Sequence, residues 1–302
     1  MTKRKTNWSK RLEAAIEYID ANIEHSLRLD DVAKAAFCSK FHFHRMFHAR
    51  LGITCAEYIR QRRLTLAADE IRSSHRSIAE IALKHGYESQ NAFTRAFRGF
   101  HRINPSVVRA NPDSLKPGKK TSLSELGGKI EMDYAIIERP EIKIVGKATR
   151  FRFDDFVKDG RKFWKSYVAS RDYQNLYRLT AGVPGPLVNA PLMSAYFPDE
   201  AGSRDEFIDV LAIEAASDMN LEGFDIHTVP AATYAEFICT YKTSMKTNRY
   251  IYGDWFEATG HERDEGKPDI AAYFPIPFKP MSEMTVRWWI PVLPADSSGV
   301  AL

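Results

Sequence analysis

The sequence predicts an all-α first domain carrying two helix-turn-helix units, followed by an α+β domain built of two β-α-β-β repeats. Three observations carry this. Apolar residues recur at helical spacing over residues 8–108, segments rich in Ile, Val and aromatic residues take over from about residue 131, and each half of the chain repeats itself. The 302-residue length suits two domains at roughly 150 residues each.

In the first half, Leu12, Ile16 and Ile19 form one helical stripe, and Val32 and Ala33 begin the next. Phe43, Met46 and Phe47 form a third, and Tyr58, Leu64, Ala67, Ala68 and Ile71 line a longer helix. Residues 109–130, rich in Pro, Gly, Ser and Lys, read as a linker. Residues 131–295 form the second domain. "YAIIERPEIKIVGKATRFRF" (134–153) reads as strand, 155–177 as helix, and "LMSAYFP" and "EFIDVLAIEA" as strands. "FDIHTVPAATYAEFICTY", "IAAYFPIPF" and "EMTVRWWIPVL" are further strands, with a helix over 243–259.

Charge separates the halves. Residues 1–120 hold 23 Lys and Arg against 12 Asp and Glu, and the remainder holds 20 against 27. A basic half joined to an acidic one suggests that the first meets a polyanion. Cys38, Cys55 and Cys239 are scattered and form no CxxC pair, which points to a reducing compartment. The basic, amphipathic start lacks the apolar core of a signal peptide, and no apolar run approaches the roughly 18 residues of a membrane helix. The expected location is the cytoplasm, with no membrane partner.

Within the first half, "LDDVAKAAFCSKFHFHRMF" (29–47) aligns with "IAEIALKHGYESQNAFTRAF" (78–97). Phe43, Arg45 and Phe47 match Phe93, Arg95 and Phe97 at an offset of fifty, as two copies of a helix-turn-helix unit require. In each copy the Phe-x-x-x-Phe stripe faces inward, which leaves an outer face. In the first copy that face holds Phe41, His44, Arg45 and His48; in the second it holds Ser89, Gln90, Asn91, Thr94 and Arg95. Arg suits guanine N7 and O6, Asn and Gln suit adenine, Ser and Thr suit phosphate, and an apolar group suits a thymine methyl. His44 and His48 also have the i, i+4 spacing of a zinc pair. No Glu stands at 45 and no third ligand is near, so no metal and no cofactor are expected.

The second half repeats too. Tyr196-Phe197-Pro198 matches Tyr273-Phe274-Pro275, Phe207–Ile213 matches Met284–Ile290, Pro140 matches Pro230 and Trp164 matches Trp255. No nucleophile–base pair or phosphate loop stands out, so no enzymatic activity is expected.

The first 108 residues resemble the AraC/XylS DNA-binding domain. "LRLDDVAKAAFCSKFHFHRMF", "EYIRQRRLTLAADEIR", "SIAEIALKHGYESQNAFTRAFR" and the closing "INPSVVR" carry the resemblance. One departure is Phe37, where the family usually has Gly in the first turn; the second turn keeps Gly86. The second half resembles GyrI-like small-molecule-binding domains. The resemblance implies a transcription regulator that binds double-stranded DNA as a monomer, with the two recognition helices one duplex turn, about 34 Å, apart. It also implies a small-molecule effector and a contact with RNA polymerase; the alternative is a second domain that docks a protein and takes no small ligand. GyrI-like pockets hold hydrophobic cations with aromatic rings and an acidic residue three positions before "IP" on the last strand. Here that position is Arg287. A buried Arg favours a carboxylate or phosphate, so Tyr196, Tyr273, Arg287 and Trp289 are expected to hold an aromatic or amphiphilic anion.

Overall fold

The computed structural model describes residues 8–115, 132–153, 155–179, 192–198, 206–215, 224–274 and 280–294. The chain divides into two compact units, Ser9–Leu126 and Gly127–Leu302 together with Met1–Trp8.

The first unit is helical: α1 (Trp8–Ala21), α2 (Leu29–Ala35), α3 (Lys40–Leu51), α4 (Cys55–Ser73), α5 (Ile78–Lys84), α6 (Gln90–His101) and α7 (Pro105–Ala110). Side-chain caps fix where several of these begin. Ser39, Thr54, Ser77 and Ser89 each accept a hydrogen bond from a backbone N–H one turn on, and Glu80 completes a capping box with Ser77. Pro105 opens α7, where its missing N–H costs nothing. The second helix-turn-helix closes on α4 through Leu64, Ala67, Ile71, Ile81, Phe93 and Phe97. Of the expected linker, residues 116–130 lie outside the described residues; Pro112–Ser114 form a single 3-10 turn.

The two tight turns share one geometry. Gly86 sits at φ 81°, with Gly86 N–H donating to Leu83 O and Tyr87 N–H to Ala82 O. Phe37 sits at φ 54°, with Phe37 N–H donating to Lys34 O and Cys38 N–H to Ala33 O. The Phe therefore strains the first turn without reshaping it: a β-carbon residue occupies the left-handed well that closes a helix. Its ring is 78% exposed.

The second unit carries β1 (Ala135–Arg139), β2 (Ile142–Arg152), α8 (Phe156–Val168), α9 (Arg171–Leu179), β3 (Leu192–Pro198) and β4 (Glu206–Glu214). The pattern repeats in β5 (Asp225–Val229), β6 (Ala232–Thr240), α10 (Ser244–Tyr250), a π-helical turn (Ile251–Trp255), α11 (Phe256–Thr259), β7 (Asp269–Phe274) and β8 (Thr285–Pro291). One antiparallel sheet runs in the order β1-β6-β8-β7-β3-β4-β2-β5. The order is symmetric about the β3–β7 seam, where the pseudo-two-fold of the repeats falls. Pro140 and Pro230 split the leading strand of each repeat, since Pro cannot donate to a ladder. The short first piece then pairs with the other repeat: β1 with β6, and β5 with β2. This exchange ties the two halves into one sheet.

Register assigns the faces. Tyr196, Asp269, Ala271, Tyr273, Val286 and Trp288 point one way, and Ala195, Ile270, Ala272, Arg287 and Trp289 the other. The helices cover the first face: the Trp288 indole donates to Ser244 Oγ at 3.0 Å, and Trp164 and Phe156 pack edge-on against Tyr273 and Tyr196. The opposite face buries Ile144, Met193, Val210, Ile270 and Trp289. Among the described residues no helix is long and apolar enough to cross a membrane.

Candidate nucleic-acid interface and effector site

The second recognition helix, α6, is sharply two-sided. Phe93 and Phe97 are fully buried, while Gln90, Asn91 and Arg95 are exposed and Thr94 is half-buried. Arg98 and Arg102 extend the exposed row one and two turns beyond Arg95. Gln90, Asn91 and Arg95 thus present bidentate donors and acceptors from the first turns of a helix, which is what major-groove readout requires. Ser89 is exposed but serves as the N-cap, its Oγ accepting from Ala92 N–H at 3.2 Å. Its hydroxyl proton remains to donate.

The first recognition helix, α3, departs from the expected one-sided pattern. Phe41 is 3% exposed, and His42 and Phe43 beside it are also buried, so the first turn is enclosed on more than one side. Phe41 is therefore not displayed as the sequence suggested. Arg45 lies over its ring, 4.7 Å from the centroid. His44 stacks in parallel on His48, with ring centroids 6.2 Å apart. Burial pushes the His44 pKa down to about 3, with the charges of His48 and Arg45 adding to the effect. The ring is neutral near pH 7 and offers hydrogen bonds, not charge.

In the second unit the sheet separates the four expected ligand residues. Tyr196 and Tyr273 lie on the helix-covered face, and Arg287 and Trp289 on the opposite face, so they do not meet in one pocket. The alternation was legible within each strand, but the relation between strands needed the register.

Arg287 has a partner. Its Nη1 donates to Glu236 Oε2 at 3.3 Å, and its guanidinium lies 5.2 Å from the Phe274 ring centroid. The Trp289 indole donates to the same Glu236 oxygen at 2.8 Å, and Arg139 stacks over the Trp289 ring. The Glu236 side chain is 11% exposed. The positive charge on the last strand is thus met by a carboxylate on the neighbouring one, and an anion would have to displace Glu236.

On the helix-covered face, Tyr196 and Tyr273 take equivalent places in the two repeats. Tyr196 stacks on Trp288 at 6.0 Å, and Tyr273 meets Trp164 and Tyr241. Asp209 pairs with Tyr196 across the β3–β4 ladder and is 2% exposed. Burial raises the Tyr273 pKa, the charge of Asp209 raises it further, and the hydroxyls of Ser194 and Tyr196 oppose the shift. Asp209 thus flanks Tyr196 on one side, and on the other side of Tyr196 the buried Asp269 is neutralised by Arg263. Sequence reasoning missed Asp209, although its signal was present: it is the acid inside the apolar run "FIDVLA", and the repeat places Val286 opposite it. Trp164 and Trp255, matched by the repeat, also diverge. Trp255 is fully buried against Phe237 and Phe256, whereas Trp164 is half-buried beside Tyr273.

Comparison with known proteins gives matches to both units. A family model described as a helix-turn-helix domain matches residues 32–111, and one described as an integron-associated effector binding protein matches residues 135–292. The transposon Tn10 TetD protein of Escherichia coli is 47% identical over 94 residues, 31% of this chain and 68% of its own. The regulatory protein SoxS of Salmonella typhimurium is 45% identical over 98 residues, 32% of this chain and 92% of its own. The right origin-binding protein of Escherichia coli is 29% identical over 159 residues, 51% of this chain and 55% of its own.

Proposed function

The chain belongs to the AraC-type helix-turn-helix regulators, with a second half of the integron-associated effector binding family, and from that premise we propose that it reads a specific DNA site and senses an aromatic cation. It is a DNA-binding transcription regulator and not an enzyme. The finer reading rests on two sites.

Sequence readout falls mainly to Gln90, Asn91, Thr94 and Arg95 on α6. Arg45 and His44 contribute from α3, and Ser89 donates to phosphate. Two reading helices in one chain supply both major-groove contacts, so one chain suffices for one asymmetric site. RNA polymerase is the further partner through which such a site would act.

The observation that carries the sensing role is the buried carboxylate of Asp209, across the ladder from Tyr196 and near enough to Tyr273 for its charge to raise that phenol's pKa, on the face where Trp288 stacks on Tyr196. Ring faces and a shielded carboxylate together complement a cation with an aromatic body. The engaged Arg287 favours this over an anion.

The test is a thermal-shift and DNA-binding titration of the full chain. It compares an aromatic quaternary ammonium with an aromatic carboxylate of the same shape, on wild type, Asp209→Asn and Arg287→Glu. Stabilisation by the ammonium alone, lost in Asp209→Asn and kept in Arg287→Glu, is the expected result. Stabilisation by the carboxylate, lost in Arg287→Glu, would overturn the cation reading. Silence from both would leave the second unit a protein-docking module.

A further inference from the structure

The first unit holds a cavity of about 380 Å³ that is unrelated to either reading face as drawn from the sequence. Its walls come from three places: Ser26 in the α1–α2 connection, Ile59, Arg60 and Arg63 on α4, and His85 and Tyr87 in the turn between α5 and α6.

The two arginines on these walls, Arg60 and Arg63, both carry positive charge. Arg63 is held in place by two backbone carbonyls, its Nε donating to Ile23 O at 2.9 Å and its Nη2 to His25 O at 2.6 Å. Among the described residues no carboxylate pairs with it. Its Nη1 lies 3.0 Å from where a β-carbon on residue 86 would stand, so Gly86 both permits the turn and leaves room for the guanidinium. Arg60 is bonded to Glu57 and is 59% exposed along its side chain.

Two further groups are buried without partners among the described residues. The Tyr87 hydroxyl is shielded from solvent and bonds to nothing, although its ring is fixed edge-on to Phe93 at 5.3 Å. His85 is 3% exposed; its Nε2 meets Glu70 Oε2 at 3.1 Å, while its Nδ1 has no partner. With Nε2–H given to the Glu70 carboxylate, His85 Nδ1 is an acceptor and calls for a donor such as water, whereas the Tyr87 hydroxyl can donate to a ligand.

We propose that this cavity is an anion site for a phosphate group, and that the phosphate is a backbone diester of the bound duplex. A fixed, unpaired guanidinium and a shielded phenol hydroxyl are both donors, as phosphate oxygens require. The cavity exceeds a single inorganic phosphate and has room for a diester with its flanking sugars. Its floor, Gly86-Tyr87, runs through Glu88 directly into the Ser89 cap of α6, so an occupant would abut the end that presents Gln90 and Asn91. The site would set the register of the second reading helix on the duplex. The inference rests on the DNA-binding reading above.

The experiment is the salt dependence of duplex binding by the full chain, for wild type, Arg63→Met, Arg60→Gln and Tyr87→Phe. Arg72→Gln, on the exposed far end of α4, is the control. Loss of one phosphate contact should reduce the slope of log K against log salt by about 0.9. Arg63→Met is expected to show this and Arg72→Gln is not. Tyr87→Phe keeps the ring packing and removes only a neutral donor, so it should weaken binding roughly tenfold or less with the slope unchanged. If Arg63→Met fails to fold, Arg60→Gln and Tyr87→Phe still decide the question. Unchanged slopes and affinities, or an equal drop in the control, would overturn the proposal while leaving DNA binding intact; absence of duplex binding by wild type would instead refute the reading beneath it. A second arm titrates inorganic phosphate without DNA. Stabilisation that Tyr87→Phe abolishes, with no change in salt slope, would keep the anion site but overturn its assignment to the duplex.

Discussion

Replacing Phe37 with glycine should stabilise the first unit. Phe37 sits at φ 54° and is 78% exposed. A left-handed conformation costs a residue with a β-carbon roughly 1–2 kcal/mol. The exposed ring returns little burial in exchange. Glycine relieves that strain but has greater freedom in the unfolded chain, a cost of about 0.5–1 kcal/mol. The net expectation is a gain of about 0.5–1 kcal/mol, or a rise of roughly 0.5 M in the urea midpoint of the first unit. Amide exchange of α2 and α3 across a urea series reads this directly in the full chain. Gly86→Ala is the reciprocal test. It has the same left-handed φ, and its new β-carbon would stand 3.0 Å from Arg63 Nη1. It should lose about 1–2 kcal/mol. A midpoint that falls in Phe37→Gly would refute the reasoning, because it would mean that the ring makes stabilising contacts despite its exposure.

Arg95→Ala should cost about 1–3 kcal/mol on the specific site and little on random DNA; equal losses on both, in parallel titrations, would reduce Arg95 to a phosphate contact. The pH dependence follows from His44. Its folded pKa, about 3, lies below the unfolded value near 6.5, so the folded state binds fewer protons. Stability is complete above about pH 6.5 and falls below it by up to ~1.4 kcal/mol per pH unit from this group. Urea midpoints at pH 7, 6 and 5 should fall less steeply in His44→Gln; parallel curves would mean that the ring titrates normally. In the second unit, Asp269 and Arg263 form an ion pair at 2.9 Å with both side chains fully buried, and the Tyr252 hydroxyl donates to the same carboxylate. Asp269→Asn leaves the buried guanidinium only the looser, part-exposed Glu265 carboxylate at 3.7 Å and should cost about 3–5 kcal/mol. A loss below 1 kcal/mol, by calorimetry of the full chain, would show that water reaches the pair.

The helical unit was legible because helices advertise themselves locally. The apolar stripes, with their Phe-x-x-x-Phe pairs, place the helices from neighbours in sequence alone, and the structure adds the caps at Ser39, Thr54, Ser77 and Ser89. The strands "LMSAYFP" and "EFIDVLAIEA" were equally plain. What could not be read was anything set by the strand register. Alternation places Arg287 and Trp289 together, but only the β3–β7 and β7–β8 pairings show that Tyr196 and Tyr273 face the other way. The exchange of β1 and β5 between repeats was likewise hidden, although its cause, Pro140 and Pro230, was visible. Phe41 failed for a related reason. A helical wheel assumes one buried side, and the first turn of α3 has more.

Both units are duplications, and their chemistry lies where the copies differ. A duplicated fold inherits matched cores: Phe43 and Phe47 repeat as Phe93 and Phe97, and Tyr196 repeats as Tyr273. Those positions hold the two copies in the same shape, so they cannot tell one copy from the other. The outward residues can. Arg98 and Arg102 stand where the first copy has His48 and Gly52; counted with its C-cap, each reading helix carries three Lys or Arg, but Arg95, Arg98 and Arg102 are exposed whereas Lys40, Arg45 and Arg50 are half-buried. Gly86 leaves space for Arg63 where Phe37 projects into solvent. Asp209 supplies a carboxylate where its counterpart is Val286; the acid on the other side of Tyr196 on that face, Asp269, is already paired with Arg263. The asymmetry also makes a directional claim for DNA: the α6 half-site should dominate affinity and salt dependence. Binding to an operator whose α3 half is scrambled should therefore survive better than binding to one whose α6 half is scrambled.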